Sequence, residues 1–355
     1  MDSHDDTIAI RTGEDFDHAA IERYLRSSVP GVPAGSLEVR QFASGRSNLT
    51  YLLQVGDWEA VLRRQPLGPV PPKAHDMLRE ARLLRKLHAF YPLAPEPYAI
   101  CEDPSILGVP FYIMERKNGV VLDDRFPPTI QPDPDLCRRI SETVVTTLVQ
   151  LHAIDWQAVG LEEFGHPDGF LARQVHSWIE RYRKAQTDEI PEVDPLVTWL
   201  ERHIPPSPPP TIVHNDFKLN NMLLGADDLT RVNGVLDWEM TTIGDPLFDL
   251  GVTLSYWITD DDPVELRSLM PTVTSTPGFI TRGEFMRRYA EQSGRDLAPM
   301  HFHMTFAYFK LAVIIQQIYA RWKRGQTQDQ RFSMFGYGVR ALMFHAARLA
   351  EEGKL

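Results

Sequence analysis

Stretches in which apolar residues alternate with polar ones recur through the first 117 residues, a pattern typical of half-buried β-strands. They predict five strands, over residues 36–43, 50–55, 58–63, 98–101 and 111–116. Two helices are predicted beside them, over residues 14–27 and 75–90, and the second carries Met77, Leu84 and Leu87 along one face. Gly56-Asp57, between the second and third strands, predicts a tight hairpin turn.

Helical periodicity dominates after residue 117. The amphipathic signal is strongest where apolar residues recur at spacings of four and three, at Leu136, Ile140, Val144, Leu148 and Leu151. Further helices are predicted over 169–184 and 193–203, from 247 onward, and as a long pair over 299–352. Short apolar runs predict buried strands at 211–213, 222–224 and 232–236. We expect an α+β protein with a small antiparallel-sheet lobe, residues 1–117, and a larger helical lobe, residues 118–355.

Composition narrows the function classes. The formal net charge of −11 argues against general nucleic-acid binding, because phosphate backbones need a surface rich in Lys and Arg. That charge would suit a cationic substrate, although acidity also serves solubility alone. The two cysteines lack the spacing of a metal site, the N-terminus lacks the apolar segment of a signal peptide, and the apolar runs are too short to span a membrane. We expect a cytoplasmic protein that acts on a small molecule, with its oligomeric state open.

The chemistry concentrates in the loop between the predicted strands at 211–213 and 222–224. This loop supplies His214, Asp216, Lys218 and Asn221 within eight residues, and Asp237 follows the next pair of strands. Phosphoryl transfer needs a carboxylate that accepts or orients the substrate hydroxyl, and oxygen ligands that hold magnesium against the phosphates. Asp216 fits the first role, and Asn221 and Asp237 fit the second.

A structural explanation competes with each of these roles. A single Asp or Asn in a loop is more often a cap or a turn former than a ligand. We interpret His214 in this way, as a residue that supports the loop. Chance explains the whole set poorly, because the spacing, the flanking strands and the second aspartate must all coincide.

The spacing His-x-Asp-x-x-x-x-Asn, followed by a strand and Asp, resembles the catalytic set of protein kinases. Here the second motif reads Leu236-Asp237-Trp238-Glu239, and Gly244-Asp245-Pro246-Leu247-Phe248-Asp249-Leu250-Gly251 follows it. That combination resembles the aminoglycoside phosphotransferase family and its choline-kinase-like relatives. The resemblance implies a two-lobed protein-kinase-like fold, ATP and Mg²⁺ as cofactors, and Asp216 as the catalytic base. It also implies Asn221 and Asp237 as magnesium ligands. Lys218 resembles instead the lysine two positions after the base in many protein kinases, which contacts the transferring phosphate, whereas many phosphotransferases of this family have histidine there.

The same resemblance places the nucleotide in the N-terminal lobe. Ser44, Gly45 and Ser47 lie between the first two strands, where a phosphate-covering loop belongs. Arg63 occupies the place of the lysine that grips the phosphates in kinases, and Glu115 lies where the hinge between the lobes is expected. Glu80 shares the apolar face of the helix over 75–90, so its burial would need a cationic partner. We predict an Arg63–Glu80 ion pair.

The acceptor is less clearly marked. The segments around 51–66 and 75–80 are similar to the phosphotransferase domains linked with acyl-CoA dehydrogenases, which implies a hydroxyacyl-CoA-type substrate. Most aromatic residues of the last two helices are expected to belong to the core, although an apolar pocket with a basic rim of Lys310, Arg321, Lys323 and Arg324 would suit an acyl or CoA-bearing substrate. The acidic run 260–262 would instead suit an aminoglycoside or an amino alcohol, and it would serve equally as a helix cap.

Two readings other than a kinase stay open. A non-catalytic nucleotide-binding scaffold would explain an arginine at position 63 and a loop with one glycine. A metal-dependent hydrolase would use a His/Asp cluster, although the spacing of a dedicated metal cage is absent from the sequence.

Overall fold

The computed structural model describes residues 6–43, 48–66, 76–260 and 262–353. Within these ranges the chain forms two compact units. The first comprises Met1–Gly119 with Asn233–Glu239, and the second comprises Val120–Val232 with Met240–Leu355. A division at residue 117 thus leaves out of the first lobe a short segment, 233–239, that the structure groups with it.

The first unit is built on a sheet whose strands are β1 (Thr7–Ile8), β2 (Glu38–Phe42), β3 (Leu49–Val55), β4 (Trp58–Arg64), β5 (Pro97–Cys101) and β6 (Phe111–Glu115). Their order is β1-β2-β3-β4-β6-β5, and every pairing is antiparallel. The turn between β3 and β4 falls at Gly56-Asp57, where Gly56 has φ +61°, as the sequence predicts. The predicted small antiparallel sheet is confirmed, with β1 as an additional short edge strand.

Two helices pack on this sheet, α1 (His18–Ser28) and α2 (Met77–Leu87). Both begin later than the sequence prediction, because an aspartate caps each first turn. Asp17 accepts a hydrogen bond from the Ala20 N–H at 3.0 Å, and Asp76 accepts one from the Arg79 N–H at 3.0 Å. Each cap satisfies a backbone donor that the helix itself leaves unpaired, so the helix starts at the residue after it.

The second unit is mostly helical, as predicted. Its helices are α3 (Pro134–His152), α4 (Phe170–Ala185), α5 (Val193–Arg202), α6 (Pro246–Ser255), α7 (Val264–Leu269), α8 (Arg282–Ser293), α9 (Met300–Lys323) and α10 (Phe335–Glu352). Its short strands are β7 (Thr211–Val213), β8 (Met222–Leu224) and β10 (Thr242–Gly244), and β7 pairs antiparallel with β10. A further strand, β9 (Val232–Val235), leads into the segment that belongs to the first unit.

Helices α6 and α9 form the centre of the helical unit. All ten residues of α6 are buried, as expected for a helix that is apolar on every side. The ring of Phe248 in α6 lies 5.3 Å from that of Phe306 in α9 and 5.7 Å from that of Phe170 in α4. Gly251 permits the close approach, since a Cβ atom there would lie 2.9 Å from the carbonyl oxygen of His303. The core of this unit therefore surrounds α6, whose N-terminal end bears Asp245 and Asp249.

Helix length and hydropathy also bear on the membrane question. Across the described part of the chain, none of the helices combines the length and the apolar character that crossing a bilayer requires.

Replacing Gly251 by alanine is expected to destabilise the protein by about 1–2 kcal/mol. The added methyl group must displace the backbone of α9, at about 1–3 kcal/mol, while the gain in helix propensity is at most about 1 kcal/mol. Urea unfolding followed by circular dichroism measures the difference. Gly283→Ala in α8 is the matched control, because its Cβ would meet only the Thr281 hydroxyl at 3.9 Å. Equal stability of the two variants would contradict the proposed crowding between α6 and α9.

Candidate active site

A buried carboxylate fixes the start of the catalytic loop, which we define as residues 214–221, between β7 and β8. Asp249 in α6 accepts the backbone N–H of His214 at 2.7 Å and that of Asn215 at 2.7 Å. His152, at the end of α3, contacts the same carboxylate at 3.1 Å through Nε2. Burial alone would raise the pKa of Asp249, but these hydrogen bonds and the charge of His152 hold it below its ordinary value. Asp249 therefore braces the loop as an ionised acceptor.

Asn215 turns the chain within this loop. Its φ of +65° lies in the left-handed region, which non-glycine residues adopt at a cost of about 1–2 kcal/mol. Besides the N–H bond to Asp249, its side-chain Nδ2 donates to the carbonyl of Met240 at 2.8 Å. These bonds hold a backbone conformation that would otherwise relax. His214 is fully buried and packs edge-on against Phe217, in keeping with the structural role predicted for it.

Asp216, Lys218 and Asn221 come together in the catalytic loop. The Asp216 Oδ2 atom lies 2.9 Å from the Lys218 ammonium and accepts from Asn221 Nδ2 at 3.1 Å. The same Nδ2 also donates to the Asp216 carbonyl at 2.9 Å. Because the amide nitrogen serves both bonds, the Oδ1 atom of Asn221 is the one suited to a cation. About a fifth of the Asp216 and Lys218 side chains is exposed, 22% and 23%, so both can reach a ligand.

Asp237, the other predicted metal ligand, belongs to the first unit. Like Asn215 it has a left-handed backbone, with φ +68°. Trp238 anchors the turn, because its Nε1 donates to the Val235 carbonyl at 2.7 Å and its ring packs against Tyr91. The Asp237 carboxylate lies 3.6 Å from the Arg63 guanidinium and is 39% exposed. A charged, accessible carboxylate on a strained turn is typical of a functional position.

Arg63 and Glu80 form the predicted ion pair, with Nη1 and Oε1 2.5 Å apart. Glu80 is 1% exposed on the inner face of α2, and Arg63 of β4 is 13% exposed. Burial raises the pKa of Glu80, and for Arg63 attraction to Glu80 outweighs burial and keeps the pKa above its ordinary value. We treat the contact as ionic because a guanidinium keeps its proton in proteins.

The other residues predicted to bind nucleotide are Ser44, Gly45, Ser47 and Glu115. Ser44, Gly45 and Ser47 lie outside the described residues. Glu115, at the end of β6, donates its N–H to the Glu96 carbonyl at 2.7 Å, and its carboxylate pairs with Lys117 at 2.8 Å. Nothing in these contacts tests a role in binding nucleotide.

Sequence reasoning missed a contact of Asn48, the first described residue after that loop. Its Nδ2 donates to the Glu239 carboxylate at 2.6 Å. Asn48 is buried, and only the polar character of both residues hinted at the pair.

A cavity of about 140 Å³ opens beside Lys218 within the helical unit. Apolar and polar side chains share its wall, among them Leu122, Trp257, Met270, Asp123, Asn220 and Thr272. Asn220 Nδ2 donates to Asp123 at 2.9 Å, so one side of the cavity carries a fixed polar pair. The cavity can take a small or slender group that presents a hydroxyl to the catalytic loop.

Most aromatic residues of α9 fill the core, as expected, and Lys310, Lys323 and Arg324 have partners within the fold. Phe302, Phe306 and Phe309 are core residues of α9, and Lys310 is itself buried. Lys323 pairs with Asp188 at 2.5 Å, and Arg324 donates to the Lys184 carbonyl at 3.1 Å. The aromatic residues repeat at helical spacing because they fill the core, so their pattern carried no information about a ligand.

Within the acidic run 260–262, Asp262 is not available to bind a polycation. Asp262 is buried, and its carboxylate accepts hydrogen bonds from both terminal nitrogens of Arg282, at 2.7 and 2.9 Å. It also accepts the Thr259 N–H at 2.7 Å, so its charge is already used within the fold. Asp261 lies outside the described residues.

The family of the protein follows from a comparison with known sequences. Residues 38–303 match the phosphotransferase enzyme family, APH. The chain belongs to this family. The match covers both the Arg63–Glu80 pair and the catalytic loop, and it makes the protein a small-molecule kinase. The predicted α+β, protein-kinase-like fold is thereby confirmed.

Two relatives of this chain are longer proteins. It is 35% identical to acyl-CoA dehydrogenase family member 10 of Mus musculus over 314 residues, which are 87% of this chain and 29% of that protein. It is 33% identical to acyl-CoA dehydrogenase family member 11 of Gallus gallus over 346 residues, 95% of this chain and 44% of that protein. The chain therefore spans less than half the length of these relatives.

Solved structures agree with the fold. A candidate aminoglycoside phosphotransferase from Ralstonia eutropha JMP134 has a TM-score of 0.82 at 30% identity, over 95% of this chain and 99% of that one. Choline kinase from Cryptosporidium parvum has a TM-score of 0.66 at 15% identity, over 95% and 96% of the two chains. The aminoglycoside phosphotransferase APH(4)-Ia, solved with ADP and hygromycin B, has a TM-score of 0.58 at 17% identity, over 92% and 97%. At such identities the last two show the fold alone.

The Glu80→Gln substitution is expected to lower the free energy of unfolding by about 3 kcal/mol, because it removes the closer and more buried of the two carboxylates that pair with Arg63 in the described part of the chain and leaves only Asp237 at 3.6 Å. Glu102→Gln is the matched control, since Glu102 pairs with Arg82 at 2.6 Å on the surface, where such pairs contribute at most about 1 kcal/mol. Urea unfolding measures both.

Exchanging the charges, as in Arg63→Glu with Glu80→Arg, is expected to recover more stability than either single change allows. Similar losses for Glu80→Gln and Glu102→Gln would show that the buried contact has no special weight.

Proposed function

We propose that the protein is an ATP-dependent phosphotransferase that moves the γ-phosphoryl group to a hydroxyl of a small molecule. The observation that carries the proposal is the Asp216 carboxylate, held 2.9 Å from Lys218 and 3.1 Å from Asn221 on a backbone fixed by Asp249. Phosphoryl transfer depends mainly on positioning and electrostatic stabilisation, and this arrangement provides both.

Asp216 acts as the base in this proposal. Its carboxylate accepts the proton of the acceptor hydroxyl while the hydroxyl oxygen forms a bond to the γ-phosphorus. The bond from that phosphorus to the bridging oxygen breaks, and ADP leaves with the electron pair. Lys218, next to Asp216, is placed to neutralise charge on the phosphoryl oxygens during transfer. Its ammonium also lies 4.9 Å from the Tyr256 ring, which limits where it can swing.

The oxygen atoms of Asn221 and Asp237 suit Mg²⁺, which prefers hard oxygen ligands and keeps part of its water shell. The Asn221 amide has its nitrogen engaged and its oxygen available, and the Asp237 carboxylate is accessible. We propose these two residues as the magnesium ligands. The metal would neutralise negative charge on the nucleotide phosphates.

Nucleotide binding is assigned to the first unit. Arg63, held by Glu80, offers a permanent positive charge for the phosphates. Ser44, Gly45, Ser47 and Glu115 complete the proposed nucleotide set. The APH(4)-Ia structures with ADP and AMP-PNP support ATP as the phosphoryl donor.

For the acceptor we propose a hydroxyacyl-CoA-type compound. Two observations favour it over an aminoglycoside. Proteins similar to this chain include acyl-CoA dehydrogenase family members, and the mixed wall of the cavity beside Lys218 contains apolar residues and a single acidic one, Asp123. A polycation would meet the Lys218 ammonium there, whereas an acyl chain would contact Leu122, Trp257 and Met270.

Asp216→Asn is expected to lower ADP release at least about 100-fold, because the amide cannot take the hydroxyl proton. Thermal stabilisation by ATP with magnesium should persist, since the substitution removes the base and not the nucleotide contacts. A coupled ADP assay and a melting curve measure the two effects. Asp227→Asn, on an exposed carboxylate, is the control expected to keep full activity. If the wild-type protein binds ATP but releases no ADP, it is a nucleotide-binding scaffold. If it neither binds nor hydrolyses ATP, the kinase proposal is wrong.

The acceptor class is tested with hydroxyacyl-CoAs, the same acyl-CoAs without the hydroxyl, aminoglycosides and amino alcohols. We expect ADP release above background only with the hydroxyacyl-CoAs, and mass spectrometry should find the added phosphate on the hydroxyl. Activity with an aminoglycoside or an amino alcohol alone would overturn the acceptor proposal and leave the kinase assignment intact.

A further inference from the structure

A lysine is buried in the middle of α9. Lys310 is 6% exposed on a helix whose other central residues are apolar. Taking an ammonium out of water is unfavourable unless a partner compensates. A methionine or leucine would fill the same space without that penalty, so the stability of the fold does not account for a lysine here.

The partner of this ammonium is the catalytic loop. Nζ of Lys310 donates to the carbonyl of Asn215 at 3.1 Å. The rings of Phe248 in α6 and Trp178 in α4 lie 5.4 and 5.6 Å from the same nitrogen. Both rings are buried, and their faces attract a cation. The lysine is therefore held in one place, aimed at one backbone oxygen.

That oxygen belongs to the peptide group that joins Asn215 to Asp216. Asp249 holds the N–H of Asn215, Met240 holds its side chain, and Lys310 holds its carbonyl. Because Asn215 is in the strained left-handed region, releasing the carbonyl would allow this peptide to rotate. Rotation would displace the Asp216 side chain from Lys218 and Asn221.

We propose that Lys310 is a positioning residue that holds the Asn215–Asp216 peptide and thereby aims the Asp216 carboxylate. This inference rests on the proposed role of Asp216 as base. The lysine acts through the backbone and touches neither substrate nor nucleotide in this proposal.

The charge state of Lys310 predicts a pH dependence. Burial lowers the pKa of its ammonium to about 8, and Asp216 and Asp249 offset part of that effect. Lys218 of the catalytic loop and Arg181 of α4 also face it and favour the neutral form. Below pH 8 the ammonium is charged and holds the carbonyl most strongly. As pH rises through about 8 it loses the proton, so kcat is expected to fall on that side of the profile.

The test compares Lys310→Met with Gln316→Met, two substitutions that remove a buried donor from the same helix. Gln316 donates to the Ala185 carbonyl at 2.8 Å and to the Thr187 hydroxyl at 3.0 Å, away from the loop. Lys310→Met is expected to lower kcat at least 30-fold at unchanged KM for ATP, while its denaturation midpoint does not fall. Gln316→Met is expected to lose stability and keep kcat within about threefold.

Hydrogen exchange followed by mass spectrometry reports on the loop without any need for activity. In Lys310→Met the peptide covering residues 211–222 should exchange faster, and the peptide covering 183–190 should not change. Gln316→Met should give the reverse. If Lys310→Met leaves both kcat and exchange of 211–222 unchanged, or loses stability and activity in the same proportion as Gln316→Met, the proposal is overturned.

Two further results separate this inference from the proposed function. Lys310→Arg keeps a cation that does not titrate in this range, so partial recovery of kcat without the decline near pH 8 would support positioning by charge. A wild-type protein that phosphorylates nothing would remove the function. In that case faster exchange of 211–222 in Lys310→Met would still establish the restraint on the loop, and unchanged exchange would refute it.

Discussion

The catalytic half of this protein depends on one buried carboxylate. Asp249 projects from α6, a helix enclosed by the core, and takes two backbone N–H groups from the first residues of the catalytic loop. A carboxylate that accepts several hydrogen bonds in a place without water is well satisfied and resists displacement. His152 contacts Oδ2, the oxygen that also accepts the His214 N–H, and Thr211 in turn donates to the His152 carbonyl at 2.7 Å. These contacts attach the loop to the rigid helical core. A reaction that depends on the positions of its groups requires such support.

Backbone strain marks the two loops that carry the proposed chemistry. Among the described residues, Asn215 and Asp237 are the non-glycine residues with positive φ, and each lies in or beside a polar loop that follows a buried strand. Asparagine and aspartate tolerate this region better than most residues, which lowers the penalty without removing it. In both loops a specific contact opposes relaxation, from Asp249 to Asn215 and from the Trp238 indole to the Val235 carbonyl. A strained backbone that such contacts hold in place fixes the direction of the side chains beside it. Here those side chains are Asp216, which follows Asn215, and Asp237.

Much of the fold and part of the site were predictable from the sequence, for a definite reason. Alternation and helical periodicity report on local burial, so the sheet of the first unit, the helices of the second and the burial of Glu80 follow from spacing. The choice of Arg63 as the partner of Glu80 comes from the resemblance to kinases. The His-x-Asp-x-x-x-x-Asn motif reports on a loop whose members are close in sequence, and Asp216, Lys218 and Asn221 do meet. Contacts between segments that are distant in the sequence produce no local pattern from which they could be predicted. The bond of Lys310 to Asn215 joins residues 95 apart, and that of Asn48 to Glu239 joins residues 191 apart. A lysine among aromatic residues in α9 has the same sequence signature whether it rims a pocket or supports a loop.

Local charge explains more about the acceptor than net charge does. The excess of eleven negative charges would suggest a polycationic substrate, yet a buried aspartate and the aspartate of the cavity wall are already engaged. Asp262 is neutralised by Arg282, and Asp123, beside the cavity, accepts from Asn220. The Lys218 ammonium is the formal positive charge at the cavity wall, and next to Asp216 it favours anionic oxygen on the transferring group over a second cation on the acceptor. If Asp216 is the base, as proposed, an ammonium-rich sugar would meet a like charge beside it, whereas a neutral hydroxyl on an apolar chain would not.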